Sequence, residues 1–253
     1  MKIAVCVKQI SDPSEPQAID PTTMRLTRGS KAILDDSDAY GVEIALRLAE
    51  AGGGGEVVLI SMAPNQEVQG VRTGLAMGAA SAVVVSDPLL AGADALTTAK
   101  VLASVAARIG ADFVVAATES TDGYTGTVPA QIAALLGWPA LTFAKQIELR
   151  GSTLSIQRQT EDGYDVVEAD LPAVVSVTAG VVEPRYPSFK GIMSAKSKPV
   201  EQLSLGDLGL SISIDEQVIS VTDAQARAAG QIVEDDGTAE VEIMNYLAQI
   251  KVL

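Results

Sequence analysis

The chain contains no histidine and a single cysteine, Cys6. The first absence excludes a Ser-His-Asp triad, a Cys-His nucleophile pair and any histidine-ligated metal. The second excludes an intrachain disulfide, a CxxC redox pair and a cysteine-ligated iron–sulfur cluster carried by this chain alone. If the protein handles electrons, it needs an organic cofactor. Cys6 stands in an apolar strand pattern and reads as a small buried hydrophobe. Aromatics are scarce, at 4% of a 253-residue chain that is 47% hydrophobic. The core must then come from Ala, Val, Leu and Ile, as in layered α/β proteins with strands buried on both faces. Cations are few as well. Eighteen Lys and Arg against 32 Asp and Glu give a formal net charge of -14, without a basic stripe, which argues against nucleic-acid binding. Such acidity suits solubility. No apolar run approaches bilayer-spanning length, so no membrane insertion is expected. The opening 1–7 runs straight into Lys8-Gln9 without the pattern of a secretion signal, so the expected location is cytoplasmic.

What is present is an alternation of short apolar runs and helical patterns. Runs at 3–7, 57–61, 82–85 and 113–117 read as buried strands. Between them, helices are expected from Asp35-Asp36-Ser37-Asp38 to the glycines at 52–55, from Pro64-Asn65 to Gly78, and over 94–108. A fourth covers 129–136 and stops at Gly137. The acidic residues before Val42 suit an N-cap and the helix dipole. Residues 10–34, with three prolines, read as irregular, with a hairpin around 24–27. After Trp138 four strand-like runs follow, at 141–149, 154–159, 164–169 and 174–178, joined by turn sequences such as Glu161-Asp162-Gly163. The expected fold is therefore α/β: a doubly wound, mostly parallel, Rossmann-like sheet extended by antiparallel strands. The expected division is an α/β domain over 1–209 and a polar C-terminal arm over 210–253, with a helix over 239–250, that packs on a partner or else on its own domain.

The segment Thr118-Glu119-Ser120-Thr121-Asp122-Gly123-Tyr124-Thr125-Gly126-Thr127-Val128-Pro129 follows the fourth strand and opens a helix. Ligands of open α/β sheets sit beyond the carboxyl ends of strands, and free N–H groups at a helix start favour an anion. Small residues here allow the backbone to approach a phosphate, Thr125 and Thr127 offer hydroxyl donors, and Pro129 suits a first helical turn. An ordinary capping loop fits the same residues, since no Walker-type lysine follows.

A second segment, Glu183-Pro184-Arg185-Tyr186-Pro187-Ser188-Phe189-Lys190-Gly191-Ile192-Met193-Ser194-Ala195-Lys196-Ser197-Lys198, does not look like a core element. A proline-led turn carrying an aromatic and a methionine reads as a presented apolar contact. A surface loop leading into an amphipathic helix fits equally well.

This second segment resembles the partner-recognition signature of the beta subunit of electron-transfer flavoprotein (ETF). The run from Glu119 through Thr-Gly-Thr-Val-Pro to Leu136-Gly137-Trp138-Pro139 is similar to that family's adenine-nucleotide loop. The opening Ile3-Ala4-Val5-Cys6-Val7-Lys8-Gln9 and the run Gly74-Leu75-Ala76-Met77-Gly78-Ala79 match it in order and spacing, so the resemblance covers about residues 1–210. It implies a heterodimer with an alpha subunit that holds most of the redox FAD, while beta shields part of the FAD and binds a structural AMP. By motif position, it places AMP contacts at the Cys6 backbone and at Asp35, Asp36, Ser37 and Asp38. Further contacts fall around Leu59 and Met62 and at Asp122, Gly123, Tyr124, Thr125 and Gly126. It implies docking of acyl-CoA-type flavoprotein dehydrogenases through Glu183, Pro184, Arg185, Tyr186 and Phe189, with Lys190, Ile192, Met193 and Lys196. Phe189 would be the apolar anchor, and Lys190, Lys196 and Lys198 would tune the encounter. Electrons would pass to a membrane-associated quinone oxidoreductase, as in fatty acid beta-oxidation. No catalytic residue and no metal site is expected in this chain. Bifurcating members place a second FAD where others hold AMP, and tend to carry Asp-Thr followed two residues later by Val-Gly-Pro. The run Tyr124-Thr125-Gly126-Thr127-Val128-Pro129-Ala130 departs from that and favours AMP. Two other classes are a stand-alone nucleotide-binding module, which needs no recognition segment or arm, and a pyrophosphatase-type adenylating enzyme. The latter calls for a Ser-Gly-Gly-x-Asp-Ser loop where Lys8-Gln9-Ile10-Ser11-Asp12-Pro13 stands.

Overall fold

A computed structural model describes residues 1–28, 31–63, 68–222, 230 and 232–253. It divides into one unit, Met1–Gln217, and a second, Val218–Leu253. In the first unit the strands are β1 (Lys2–Cys6), β2 (Gln9–Ser11), β3 (Ile19–Asp20), β4 (Arg25–Leu26), β5 (Ala32–Leu34), β6 (Glu56–Met62), β7 (Ser81–Val85), β8 (Phe113–Ala117), β9 (Ala140–Arg150), β10 (Thr153–Gln159), β11 (Tyr164–Asp170), β12 (Ala173–Val177) and β13 (Val200–Leu203). The helices are α1 (Asp36–Ala51), α2 (Gln69–Met77), α3 (Ala95–Arg108), α4 (Val128–Leu136) and α5 (Phe189–Ala195). The expected helix start at Pro64-Asn65 lies outside the described residues.

Among the described residues, nine strands form the main sheet in the order β11-β10-β9-β12-β8-β1-β6-β7-β13. The antiparallel block expected after Trp138 is smaller than the sequence suggested. Within this sheet the antiparallel pairings are β9 with β10 and β10 with β11, while β12 lies parallel between β9 and β8. All five residues of β12 are buried, so this strand needs cover on both faces and takes an interior position. The edge strand β13 was not foreseen, because its run Val-Glu-Gln-Leu carries little apolar pattern. Residues 10–34 contain the expected hairpin, β3 with β4, and a further antiparallel pair, β2 with β5.

Alternation along the strands divides the core into two layers. Ile3, Val5, Leu59, Phe113 and Val115 pack with α1 and α2, whereas Ala4, Cys6, Ile60, Val114 and Ala116 pack with α3 and α4. Asp35 caps α1 by accepting from the Ser37 N–H at 3.0 Å, and Asp94 caps α3 by accepting from Thr97 at 2.6 Å. Gly137 closes α4 in the left-handed conformation. Leu210 and Ile212, placed in the arm by sequence, pack against the core of the first unit. In the second unit α6 (Ala239–Gln249) has no buried residue, and its Val241, Ile243, Met244 and Tyr246 are about half exposed.

Candidate functional site

The main sheet changes winding direction at β1: the chain proceeds to β6 on one side and returns to β8 on the other. Such a switch point opens a crevice beyond the strand carboxyl ends. Here it is a cavity of about 700 Å³ at the ends of β1, β6, β7 and β8, with Cys6, Met62, Ser86 and Ala117 among its lining residues.

Cys6 and Asp38 form part of its floor. Burial, and secondarily the Asp38 charge, pushes the Cys6 thiol up, so it stays protonated. Asp38 is buried and accepts from the Lys8 N–H at 2.5 Å. Burial holds its carboxyl well above the usual range; the Asp35 and Asp122 charges add to this, against the Lys8 N–H. A carboxyl that retains its proton at a cavity wall can donate to a ring nitrogen as well as accept from an amine.

The other positions expected from the sequence are distributed around this floor. Asp35 is fully buried, and its Oδ2 accepts from the N–H and the hydroxyl of Thr121, so it holds the loop after β8. Asp36 is exposed and Ser37 half-buried; neither lines the cavity. Leu59 does not line the cavity: strand alternation sends its fully buried side chain to the α1–α2 layer. Asp122 does not line the cavity; its carboxylate pairs with Lys8 Nζ at 2.5 Å and Arg28 Nη2 at 3.6 Å. Burial raises the Asp122 carboxyl, but the Lys8 hydrogen bond and charge outweigh that and hold it low. Gly123 and Tyr124 are exposed and lie off the cavity, with Tyr124 at φ 49° forming a turn back to the Ser120 carbonyl at 2.9 Å.

Thr125, Gly126 and Val128 do line the cavity. Gly126 adopts φ 68°, which favours glycine. At the start of α4 the Thr127 side chain makes no capping bond, and Pro129 occupies the first turn. The N–H groups there remain available to an anion. Sequence reasoning missed three cationic lining residues, Lys8, Arg25 and Arg28. Lys8 could have been found from its place just beyond the carboxyl end of β1. The two arginines belong to the irregular 10–34 stretch, which carried no such signal.

The 183–198 segment lies on the α1–α2 side. Tyr186 is 93% exposed and Phe189 81%, with Ile192 and Met193 about half exposed, so Phe189 is not a core residue. Lys190, Lys196 and Glu183 are exposed and Pro184 is half-buried. Arg185 is occupied within its own chain, bonded to Glu43 and Glu50 of α1. Lys198 donates to the Leu75 and Ala79 carbonyls at 2.8 and 2.6 Å, so it caps α2 instead of standing free at the surface. Among the described residues no helix is long and apolar enough to cross a membrane.

The profile of the electron transfer flavoprotein domain family matches residues 23–208. Electron transfer flavoprotein subunit beta of Mycobacterium tuberculosis is 35% identical over 263 aligned residues, covering 99% of each chain. The subunit of that name from Megasphaera elsdenii is 33% identical and covers all of both chains. The Caffeyl-CoA reductase-Etf complex subunit CarD of Acetobacterium woodii is 37% identical over 83% of this chain and 81% of its own.

Proposed function

Because this chain belongs to the electron transfer flavoprotein family as a beta subunit, we propose that it pairs with an alpha subunit and holds AMP in the switch-point cavity. The observation that carries this reading is the cavity itself, bounded by the 118–127 loop and the uncapped start of α4. The N–H groups at 126–128 and the Thr125 hydroxyl receive the phosphate. Asp38 and the Cys6 backbone face the nucleoside, and Lys8 stands at the edge, steadied by Asp122. AMP there is structural.

FAD, held mainly by the alpha subunit and partly enclosed by this chain, supplies the one- and two-electron chemistry. This chain contributes no bond-making residue; its role is to bring a partner's flavin close. The exposed face of Tyr186, Phe189, Ile192 and Met193 docks acyl-CoA-type flavoprotein dehydrogenases, and electrons go on to a membrane-associated quinone oxidoreductase from a cytoplasmic carrier. The arm, with its unburied α6, packs on the alpha subunit.

A second reading places a second FAD in the same cavity. Its volume, about 700 Å³, exceeds what a mononucleotide needs, and the likeness to a subunit of a caffeyl-CoA reductase complex points the same way. Expression with and without an alpha subunit tests the pairing. Alone, the chain is expected to be colourless and poorly stable; a stable monomer binding FAD stoichiometrically contradicts the proposal.

A further inference from the structure

We propose that Glu43 of α1 is the positioning residue of the docking segment and sets how well Phe189 meets a partner dehydrogenase. The inference rests on the reading that this segment docks dehydrogenases.

Glu43 is 2% exposed, yet its carboxylate is fully engaged. Oε2 accepts from the Arg185 N–H at 3.1 Å and from Arg185 Nε at 2.7 Å. Oε1 accepts from Arg185 Nη2 at 3.2 Å and from Arg47 Nε at 2.7 Å. Arg47 in turn donates to the Glu183 carbonyl at 3.4 Å, and Arg185 also bonds Glu50 at 2.8 Å. Burial raises the Glu43 carboxyl, but the Arg185 and Arg47 hydrogen bonds outweigh it and keep the group ionised.

An apolar residue of similar shape would hold α1 against the sheet at least as well as a buried ion pair does. What the carboxylate adds is direction. A planar guanidinium gripped at two nitrogens, together with the main-chain N–H of the same residue, fixes position 185 in three dimensions. A second clamp closes the far end of the segment. Arg72 of α2 donates to the Ala195 and Lys198 carbonyls at 2.7 and 2.9 Å. Gly191 lies so close to α2 that a Cβ there would sit 2.4 Å from the Ala76 carbonyl oxygen. Between the two clamps Tyr186, Phe189 and Met193 point outward. Ala195 and Gly191 pack the helix α5 onto α2, but the 183–188 turn that leads into Phe189 buries little of itself, so its geometry comes mainly from the Glu43–Arg185 anchor. Of the two clamps, Glu43 is the more informative because, at 2% exposed, it acts only through the residues it holds.

The test uses the assembled heterodimer as electron acceptor for a flavoprotein acyl-CoA dehydrogenase. Initial rates are measured against heterodimer concentration for the wild type, Glu43→Gln, Arg185→Lys, Phe189→Ala and the Glu43→Gln/Phe189→Ala double variant. Glu43→Gln should raise the KM for the heterodimer about tenfold while kcat and FAD content stay unchanged. The double variant should be no worse than Phe189→Ala alone, because both act through the same contact. Arg185→Lys keeps the charge but loses the fork, and should raise KM even if Glu43→Gln fails to assemble. A KM unchanged by Glu43→Gln or Arg185→Lys, or penalties that multiply in the double variant, would overturn the proposal. If Phe189→Ala itself leaves KM unchanged, the docking reading fails, and that outcome is distinct from the others.

Discussion

Asp35 and Thr121, 86 residues apart, are joined by two hydrogen bonds: Oδ2 of the aspartate accepts from the threonine N–H at 2.7 Å and from its hydroxyl at 3.1 Å. The other oxygen caps α1 through Ser37. One fully buried carboxylate thus ties the first helix to the loop after β8, across the switch point, and shapes the cavity from both sides.

Asp35→Ala should therefore act twice. Loss of the cap and of the Thr121 bonds should cost about 2 kcal/mol of stability. The loop it holds should also retain nucleotide poorly. Thermal denaturation and nucleotide analysis of the same preparation check this; a lowered Tm with full nucleotide content would show that the loop does not depend on Asp35.

Thr125→Ala and Gly126→Val should both reduce AMP retention, but differently. Thr125 is exposed, so its loss should leave Tm unchanged and remove one hydrogen bond to a charged group, about 1.5–3 kcal/mol of binding. At Gly126, φ 68° disfavours a β-branched residue by about 1–2 kcal/mol, and its Cβ would lie 3.4 Å from a Glu119 carboxylate oxygen. That variant should lose both AMP and some stability. Nucleotide titration of stripped protein and thermal melts separate the two effects.

Asp38 gives a pH dependence of definite sign. Its carboxyl is raised in the folded state, chiefly by burial, so folding takes up a proton. The stability that Asp38 contributes is greatest below the ordinary aspartate range and is lost as pH rises through the raised value. Asp38→Asn incurs neither proton uptake nor a buried charge. It should flatten the pH dependence of Tm on the alkaline side and raise Tm there. A variant whose Tm falls in parallel with the wild type as pH rises above the ordinary aspartate range would contradict this.

Phe189→Ala should slow electron transfer from dehydrogenases, at a cost of about 2 kcal/mol in docking, while Tm stays unchanged because the ring is 81% exposed. Lys190 and Lys196 are exposed and should contribute a salt-dependent encounter. Lys198 should not: its ammonium is bonded to α2 carbonyls and partly desolvated, which lowers its pKa. Lys198→Ala should destabilise the protein and leave the salt dependence as it was.

The sequence made local features legible. Strand runs such as 113–117 and capping residues such as Asp94 carry short-range signals, and α3, α4 and β8 begin and end within about a residue of expectation. Pairing partners were less legible. That β12 enters between β9 and β8 depends on contacts remote in sequence, and hairpin-like turns on either side of β10 and β11 suggested a longer antiparallel block. At the site, the 118–127 motif indicated the loop but not which side chains within it face inward, nor that the Asp122 carboxylate is held by two cations. Its two cationic partners come from residues 8 and 28, which only the folded chain brings together. The same limit applies to Arg185, an exposed-looking arginine in a presented segment whose partner, Glu43, lies 142 positions away.

Denaturing the purified heterodimer and quantifying the released nucleotides tests most directly whether this chain holds AMP beside the partner's FAD. One FAD and one AMP per heterodimer are expected, with AMP alone depleted in Thr125→Ala. Two FAD and no AMP, or FAD with nothing in the second site, would contradict the account.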